Sequence, residues 1–210
     1  MGNVNISEIQ KLTLLSKDQL KLASEVLSNA FQEDLVFSKL IPNSKERYKT
    51  LFTIFKFQIK YCLKHGVVLS ASNLKGISLW YPPKNVFISI WKSIKSSSLS
   101  LIFNIKWKNL HILRKNDDFS EELHKKLAPD PHWYLSVIGI DPKHQGKGIG
   151  RRMISFMINY IDHKTIFLET NSEKNVNLYK HFGFRILHKV LTPRTNIYHW
   201  SMIRCPVKKE

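Results

Sequence analysis

Gln145-Gly146-Lys147-Gly148-Ile149-Gly150-Arg151 separates an apolar stretch, Tyr134 to Ile140, from an amphipathic one, Ile149 to Ile161. A glycine-rich turn between a strand and a helix lets backbone N–H groups gather around an anion, because no Cβ blocks the approach. The helix N-terminus adds about half a positive charge at the same place. The spacing predicts a strand–turn–helix unit that grips a phosphate-like group. Thr165 to Thr170 follows as a second strand. This completes a βαβ unit whose strands run parallel through a right-handed crossover.

Working outward, Trp133 to Ile140 is the first strand of that unit and Asp141-Pro142 ends it. The following helix places Ile149, Met153, Met157, Tyr160 and Ile161 on an inner face, with Arg152, Ser155, Asn159 and Asp162 outside. Downstream, Ser172 can cap a short helix from Glu173 to His181 that Gly183 closes. Phe184 to Leu191 and Ile197 to Ile203 read as two last strands. Upstream, Glu8 to Leu15 reads as a short strand, and Ser16-Lys17-Asp18-Gln19 as a capping box. The helix it opens carries Leu20, Ala23, Leu27 and Phe31 on one face and ends at Gln32-Glu33-Asp34. Ser44 can cap a second helix with the stripe Tyr48, Leu51, Phe52, Phe55, Ile59 and Cys62, stopped by Gly66. Val67 to Ala71 and Gly76 to Tyr81 form a hairpin that ends at Pro82-Pro83. Residues 84 to 131 carry helical spacing over Trp91, Ile94, Phe103, Trp107 and Leu110. Two or three helices are expected there, with another short one after Asp117-Asp118.

A chain of 210 residues fits one domain, here with a helical insertion near residues 84–130. The two cysteines, Cys62 and Cys205, form neither a disulfide framework nor a zinc pattern, so no metal is expected. The polar start, Met1 to Gln10, lacks a signal-peptide apolar core, and no apolar run is long enough for a membrane span. A cytoplasmic monomer or homodimer is the expectation. The net charge of +17 suits an anionic partner, yet only seven of the 33 basic residues are Arg, which counts against nucleic acid. The excess of positive charge also counts against a polycationic acceptor.

Two familiar phosphate grips do not fit the turn. A Rossmann fingerprint needs a third glycine where Arg151 or Met153 stands, and a Walker A loop needs Ser or Thr after Gly146-Lys147, where Gly148 stands. Gln145-x-x-Gly148-x-Gly150 instead resembles the acetyl-CoA signature of the GNAT superfamily of N-acetyltransferases. Ile138-Gly139-Ile140-Asp141-Pro142, Leu168-Glu169-Thr170 and Asn175-Val176-Asn177-Leu178-Tyr179-Lys180-His181-Phe182-Gly183-Phe184 follow in that family's order. The pattern is most similar to the branch containing puromycin N-acetyltransferase, with Leu178 where that branch often has Phe. The match covers Trp133 to Arg204; the front half agrees in layout only.

The resemblance implies an α/β fold (α+β in some schemes): a mixed, mostly antiparallel sheet flanked by helices, with a central parallel strand pair that splays. It implies acetyl-CoA as cosubstrate and direct transfer of acetyl to a primary amine of a small molecule in a ternary complex. Val137, Ile138, Gly139 and Ile140 would face the pantetheine arm and the thioester carbonyl. Gln145, Gly146, Lys147, Gly148, Ile149, Gly150 and Arg151 would hold the pyrophosphate, with Asn175 and Tyr179 nearby. Tyr179 would be the general acid. For the base, Glu169 comes first and Glu33 and Asp34 next, with a water chain as a further route. Phe31, Glu33 and Asp34 would touch the acceptor. A non-catalytic acyl-CoA-binding regulatory protein and a basic nucleic-acid-associated protein are the alternatives.

Overall fold

In the computed structural model, which describes residues 12–86, 106–129, 131–162 and 164–206, the capping box at Ser16 forms: its N–H donates to Gln19 Oε1 at 3.2 Å. It leads into α1 (Leu20–Ala30). Asp34 then accepts from the Val36 and Phe37 amides and caps α2 (Leu35–Leu40), a turn of helix that the chain pattern did not announce. The next helix, α3 (Ser44–His65), is capped by Asn43 rather than by Ser44, with the Glu46 amide donating to Asn43 Oδ1 at 3.0 Å. Asn43 takes the cap because its backbone is extended while Ser44 is already helical.

Among the described residues, seven strands form one sheet in the order β1-β2-β3-β4-β5-β7-β6. They are β1 (Leu12–Leu14), β2 (Val67–Ala71), β3 (Gly76–Tyr81), β4 (Trp133–Ile140), β5 (Ile166–Thr170), β6 (Arg185–Leu191) and β7 (Tyr198–Arg204). Every neighbouring pair is antiparallel except β4 and β5, which are parallel. The expected mixed sheet with one parallel pair is thus present. Residues 8–11 of the expected first strand lie outside the described residues.

The two faces of the sheet bury different helices. On one face, Leu51, Phe55 and Ile59 of α3 join Ala23 and Leu27 of α1 and pack against Ile77 and Leu79 of β3. On the other, α5 (Ile149–Tyr160) buries Ile149, Met153, Ile154 and Met157 over Leu135, Leu168 and Met202. Tyr160, expected on the inner face, is 56% exposed and stacks against Phe156; Ile154 and Ile158 are buried on that helix in addition to the residues named from the pattern. The short α6 (Glu173–Lys180), capped by Ser172, adds Val176 and Tyr179 to the same core. Between β3 and β4, α4 (Trp107–Leu127) is one continuous helix, so Asp117-Asp118 lies inside it instead of starting a new one. Trp91, Ile94 and Phe103, and the helices expected over them, lie outside the described residues.

Helix α1 crosses β4 at Gly139. A Cβ there would stand against Leu27 and Ala30, so the missing methyl is what lets fully buried Leu27 seat on the sheet. Leu27→Ala should cost about 2–5 kcal/mol of unfolding free energy. Gly139→Ala should cost about 1–3 kcal/mol by overpacking. The double variant should lose less than the sum, because the added methyl enters the space Leu27 vacates. Denaturant unfolding of the four proteins checks this; strict additivity would contradict the contact.

Candidate active site

The paired region of β4 and β5 is short. It covers Trp133↔Ile166, Tyr134↔Phe167 and Leu135↔Leu168. Past Leu135, β4 stays bonded to β3 as far as Ile140, while Glu169 and Thr170 pair only with Ser201 and Trp200 of β7. The two strands part. Ser136 is the extra residue where the β3–β4 register shifts. Such a bulge bends its strand and strengthens the local twist, which swings the end of β4 away from β5.

A cavity of about 280 Å³ opens at this gap. Ser136, Val137 and Ile138 of β4 form one wall, and Glu169, Asn175 and Tyr179 form the facing one. Phe31, Asp34 and Phe37 from the α1–α2 corner, Phe55 and Gln58 of α3, and Asp117, Glu121 and His124 of α4 also line it. Of the residues expected at the acceptor, Phe31 and Asp34 line the cavity. Glu33 does not: its side chain is 84% exposed and faces Arg47 at 3.4 Å. Asp34's carboxyl is raised above its usual range by burial, partly offset by the two amides it caps.

Glu169 is held from two sides. Tyr134 Oη donates to Oε2 at 3.1 Å, and His199 Nε2 lies 3.1 Å from Oε1. Its side chain is 9% exposed and that of His199 3%. Burial, with the charge of Glu169 next and that of Asp117 after it, pushes the Tyr134 phenol well above its ordinary value. Removing either partner would leave one buried oxygen of Glu169 without its hydrogen bond, at a cost of about 1–3 kcal/mol. Tyr179 is buried beside Phe184, and burial raises its phenol, so it stays protonated at neutral pH. Asn175, one turn earlier on α6, lines the same cavity.

Ile140 leads into the glycine turn. Gly146 and Gly148 take φ of +77° and +73°, a region that L side chains seldom adopt, and Gly148 is the N-cap of α5. Gln145 Nε2 donates to the Ile140 carbonyl at 3.1 Å and ties the strand end to the turn. The first amides of α5 have no intrahelical acceptor. Arg152, assigned by periodicity to the outer face, reaches back instead. Its Nη1 donates to the Lys147 carbonyl at 3.3 Å, and its Nη2 is buried without a hydrogen-bond partner. An orphaned guanidinium N–H beside a helix N-terminus suits an anionic oxygen, so the residues present fit the pyrophosphate of a coenzyme A thioester.

The residues that sequence reading missed come from two places. Tyr134 and His199 reach Glu169 only through strand pairing, which no local pattern reveals. Asp117, Glu121 and His124 recur at helical spacing along α4 and are visible as a polar stripe, but nothing in the sequence says which way the stripe faces. His124 stacks on Phe167 with ring centroids 4.5 Å apart and lies 2.9 Å from His132, Nε2 to Nε2. His181 and His188 do not line the cavity.

Residues 113–186 match the sequence model of the acetyltransferase (GNAT) domain. An uncharacterized N-acetyltransferase of Schizosaccharomyces pombe is 29% identical over 194 residues, spanning 86% of this chain and 76% of that protein. A crystal structure described as histone acetyltransferase HPA2 and related acetyltransferase, from Corynebacterium glutamicum, superposes with a TM-score of 0.68 at 19% identity, over 95% of this chain and 97% of that one. A mosquito arylalkylamine N-acetyltransferase-like protein superposes with a TM-score of 0.61 at 12% identity, covering 92% and 98%. Among the described residues no helix is long and apolar enough to cross a membrane.

Burial, with neighbouring His132 second, pushes His124 down from 6.5 to about 3. The folded state therefore takes up this proton later than the unfolded chain does. The stability that rests on neutral His124 is complete above pH ~6.5 and is lost as the pH falls toward about 3. His124→Phe keeps a ring on Phe167 and should flatten the acid limb of unfolding free energy by up to about 1.4 kcal/mol per pH unit between these limits. Equal slopes for the two proteins would contradict the assignment.

Proposed function

We propose that this chain, which carries a GNAT acetyltransferase domain and is an N-acetyltransferase of that family, takes the acetyl group of acetyl-CoA. It passes that group directly to a primary amine of a small molecule. The observation that carries the reading is the cavity at the parting of β4 and β5, with Glu169, Asn175 and Tyr179 on its wall. One continuous sheet supports treating residues 1–210 as a single domain with a helical insertion near 84–130.

Acetyl-CoA, when bound, supplies the acetyl group as an activated thioester. The amides from Gly146 to Arg151, with Arg152, would hold its pyrophosphate. The unpaired edge of β4 from Val137 to Ile140 offers backbone groups to its amide-bearing arm. A backbone N–H near Val137 or Ile138 would donate to the carbonyl oxygen where negative charge gathers during transfer.

The amine arrives as an ammonium, with a pKa near ~10, and must lose a proton before it attacks. Glu169 is the carboxylate at the gap, and the Tyr134 and His199 bonds fix both of its oxygens. It accepts the proton directly or through water, and His199 beside Oε1 gives that proton a route onward. Tyr179 protonates the departing thiolate; burial keeps the phenol proton in place until then.

Thiol release from acetyl-CoA in the presence of a panel of small primary amines tests the activity. Tyr179→Phe should lower kcat by roughly 10²–10⁴-fold while acetyl-CoA affinity stays nearly constant. Unchanged turnover would remove Tyr179 as the acid. Acetyl-CoA binding with no thiol released from any amine would favour a non-catalytic acyl-CoA-binding role.

A further inference from the structure

Helix α2 is too short to place itself. It has six residues, and helices of that length are marginal without support from outside. Val36 is buried, and Phe37 and Leu40 pack in part against the small cluster of Ile41, Ile54 and Leu113. Yet Asp34, Val36 and Phe37 all line the cavity, as does Phe31 just before them. Polar clips fix this segment. Arg47 of α3 is 5% exposed and donates to carbonyls on both sides of α2. Its Nε reaches Gln32 at 2.6 Å, and its Nη1 reaches Ile41 at 2.8 Å and Pro42 at 3.0 Å. One planar group thus joins the two ends of α2. Glu33, 3.4 Å from Nη2, has a side chain 84% exposed, and such pairs contribute little. A second clip is Lys39, whose Nζ donates to the carbonyl of buried Thr195 at 2.9 Å. It ties α2 to the connection between β6 and β7. That connection leads to His199, which lines the cavity.

We infer that Arg47 and Lys39 are positioning residues for the acceptor amine. They hold the segment from Phe31 to Ile41 in the place where its lining side chains meet the amine, and they leave the acetyl-CoA grip and the transfer step alone. The inference rests on the acetyl-transfer reading above and assigns residues to its acceptor side. Neither Arg47 nor Lys39 lines the cavity, so each acts through the backbone it holds. The groups that would hold acetyl-CoA come from β4, the glycine turn and α5. The clips close instead on the two ends of α2 and on the β6–β7 connection. The guanidinium suits its task because its five donors lie in a fixed plane, and it stays charged when buried. A Lys ammonium is a single point of donation and does not span the carbonyls before and after α2. Loss of a clip lets the wall shift, and a displacement of about 1 Å far from the chemistry can cost up to about 10²-fold.

The test uses four amines of different kinds: n-butylamine, phenethylamine, glycinamide and glucosamine. Calorimetric titration into the full chain saturated with CoA reads amine binding, and thiol release from acetyl-CoA reads turnover. For the amine that the unaltered protein binds best, Arg47→Lys should weaken binding and raise KM by roughly tenfold or more, and Lys39→Met by roughly threefold. Acetyl-CoA affinity and kcat at saturating amine should stay within about twofold, a split that a merely destabilising substitution does not produce. Lys39→Met removes one bond to a carbonyl and decides the matter alone if Arg47→Lys does not fold. Amine binding unchanged in every folded variant, or acetyl-CoA affinity falling as far as amine affinity, would overturn the inference while leaving acetyl transfer standing. Failure of the unaltered protein to bind any of the four amines would also overturn it. Amine binding weakened by the variants, with no thiol released from any amine, would support the clips and overturn the acetyl-transfer reading.

Discussion

Everything at the site depends on β4 leaving β5 after Leu135. Full-length pairing would satisfy the backbone of both strands and close the sheet over the place where the cavity now stands. Three pairs hold the strands together at one end, and the bulge at Ser136 turns β4 away at the other. The helices make the separation tolerable. Helix α5 covers β4 from one side through Ile149, Met153 and Met157, and α1 covers it from the other where Leu27 meets Gly139. Backbone groups buried without partners are costly. A site made of such groups is thus prepared to bind a chain that can pair with them, as an added strand would.

The same parting sets the electrostatics. Glu169 sits on the last paired residues of β5 against β7, so its carboxylate faces the gap while Tyr134 and His199 occupy its two oxygens. At the other end of β4, the glycine turn and Arg152 gather positive character at the start of α5. A positive, anion-binding grip at the turn and a cavity lined by Asp34, Asp117, Glu121 and Glu169 divide the site by charge. On the proposed acetyl-transfer reading, the donor's phosphates and the acceptor's amine would be drawn to different parts of the site, and a wrongly oriented ligand would meet like charge.

Much of this arrangement is legible in the sequence where the signal is local. The run from Trp133 to Arg151 states its strand, turn and helix almost residue by residue, since alternation, Asp-Pro and closely spaced glycines act over a few positions. Asp34 reads as a helix end but also begins α2, because a cap belongs to the residues after it and those six offer too short a pattern to see. Asp117-Asp118 reads as a start signal but lies within α4, where side-chain packing overrides the local preference of Asp for caps. The partners of Glu169 were out of reach for a different reason: Tyr134 and His199 stand 35 and 30 residues away in sequence, and only strand register joins them. Arg152 shows the limit of periodicity, which gives the face a side chain leaves from and not where a long side chain ends.

Amide hydrogen exchange with and without acetyl-CoA tests the central claim most directly, because it reads the backbone at the gap itself. Saturating acetyl-CoA should slow exchange across Val137–Ile140 and Gly146–Arg151 while leaving the β1–β2 edge of the sheet unaltered. Protection absent from both segments, or confined to strands outside the β4–β5 gap, would contradict the account.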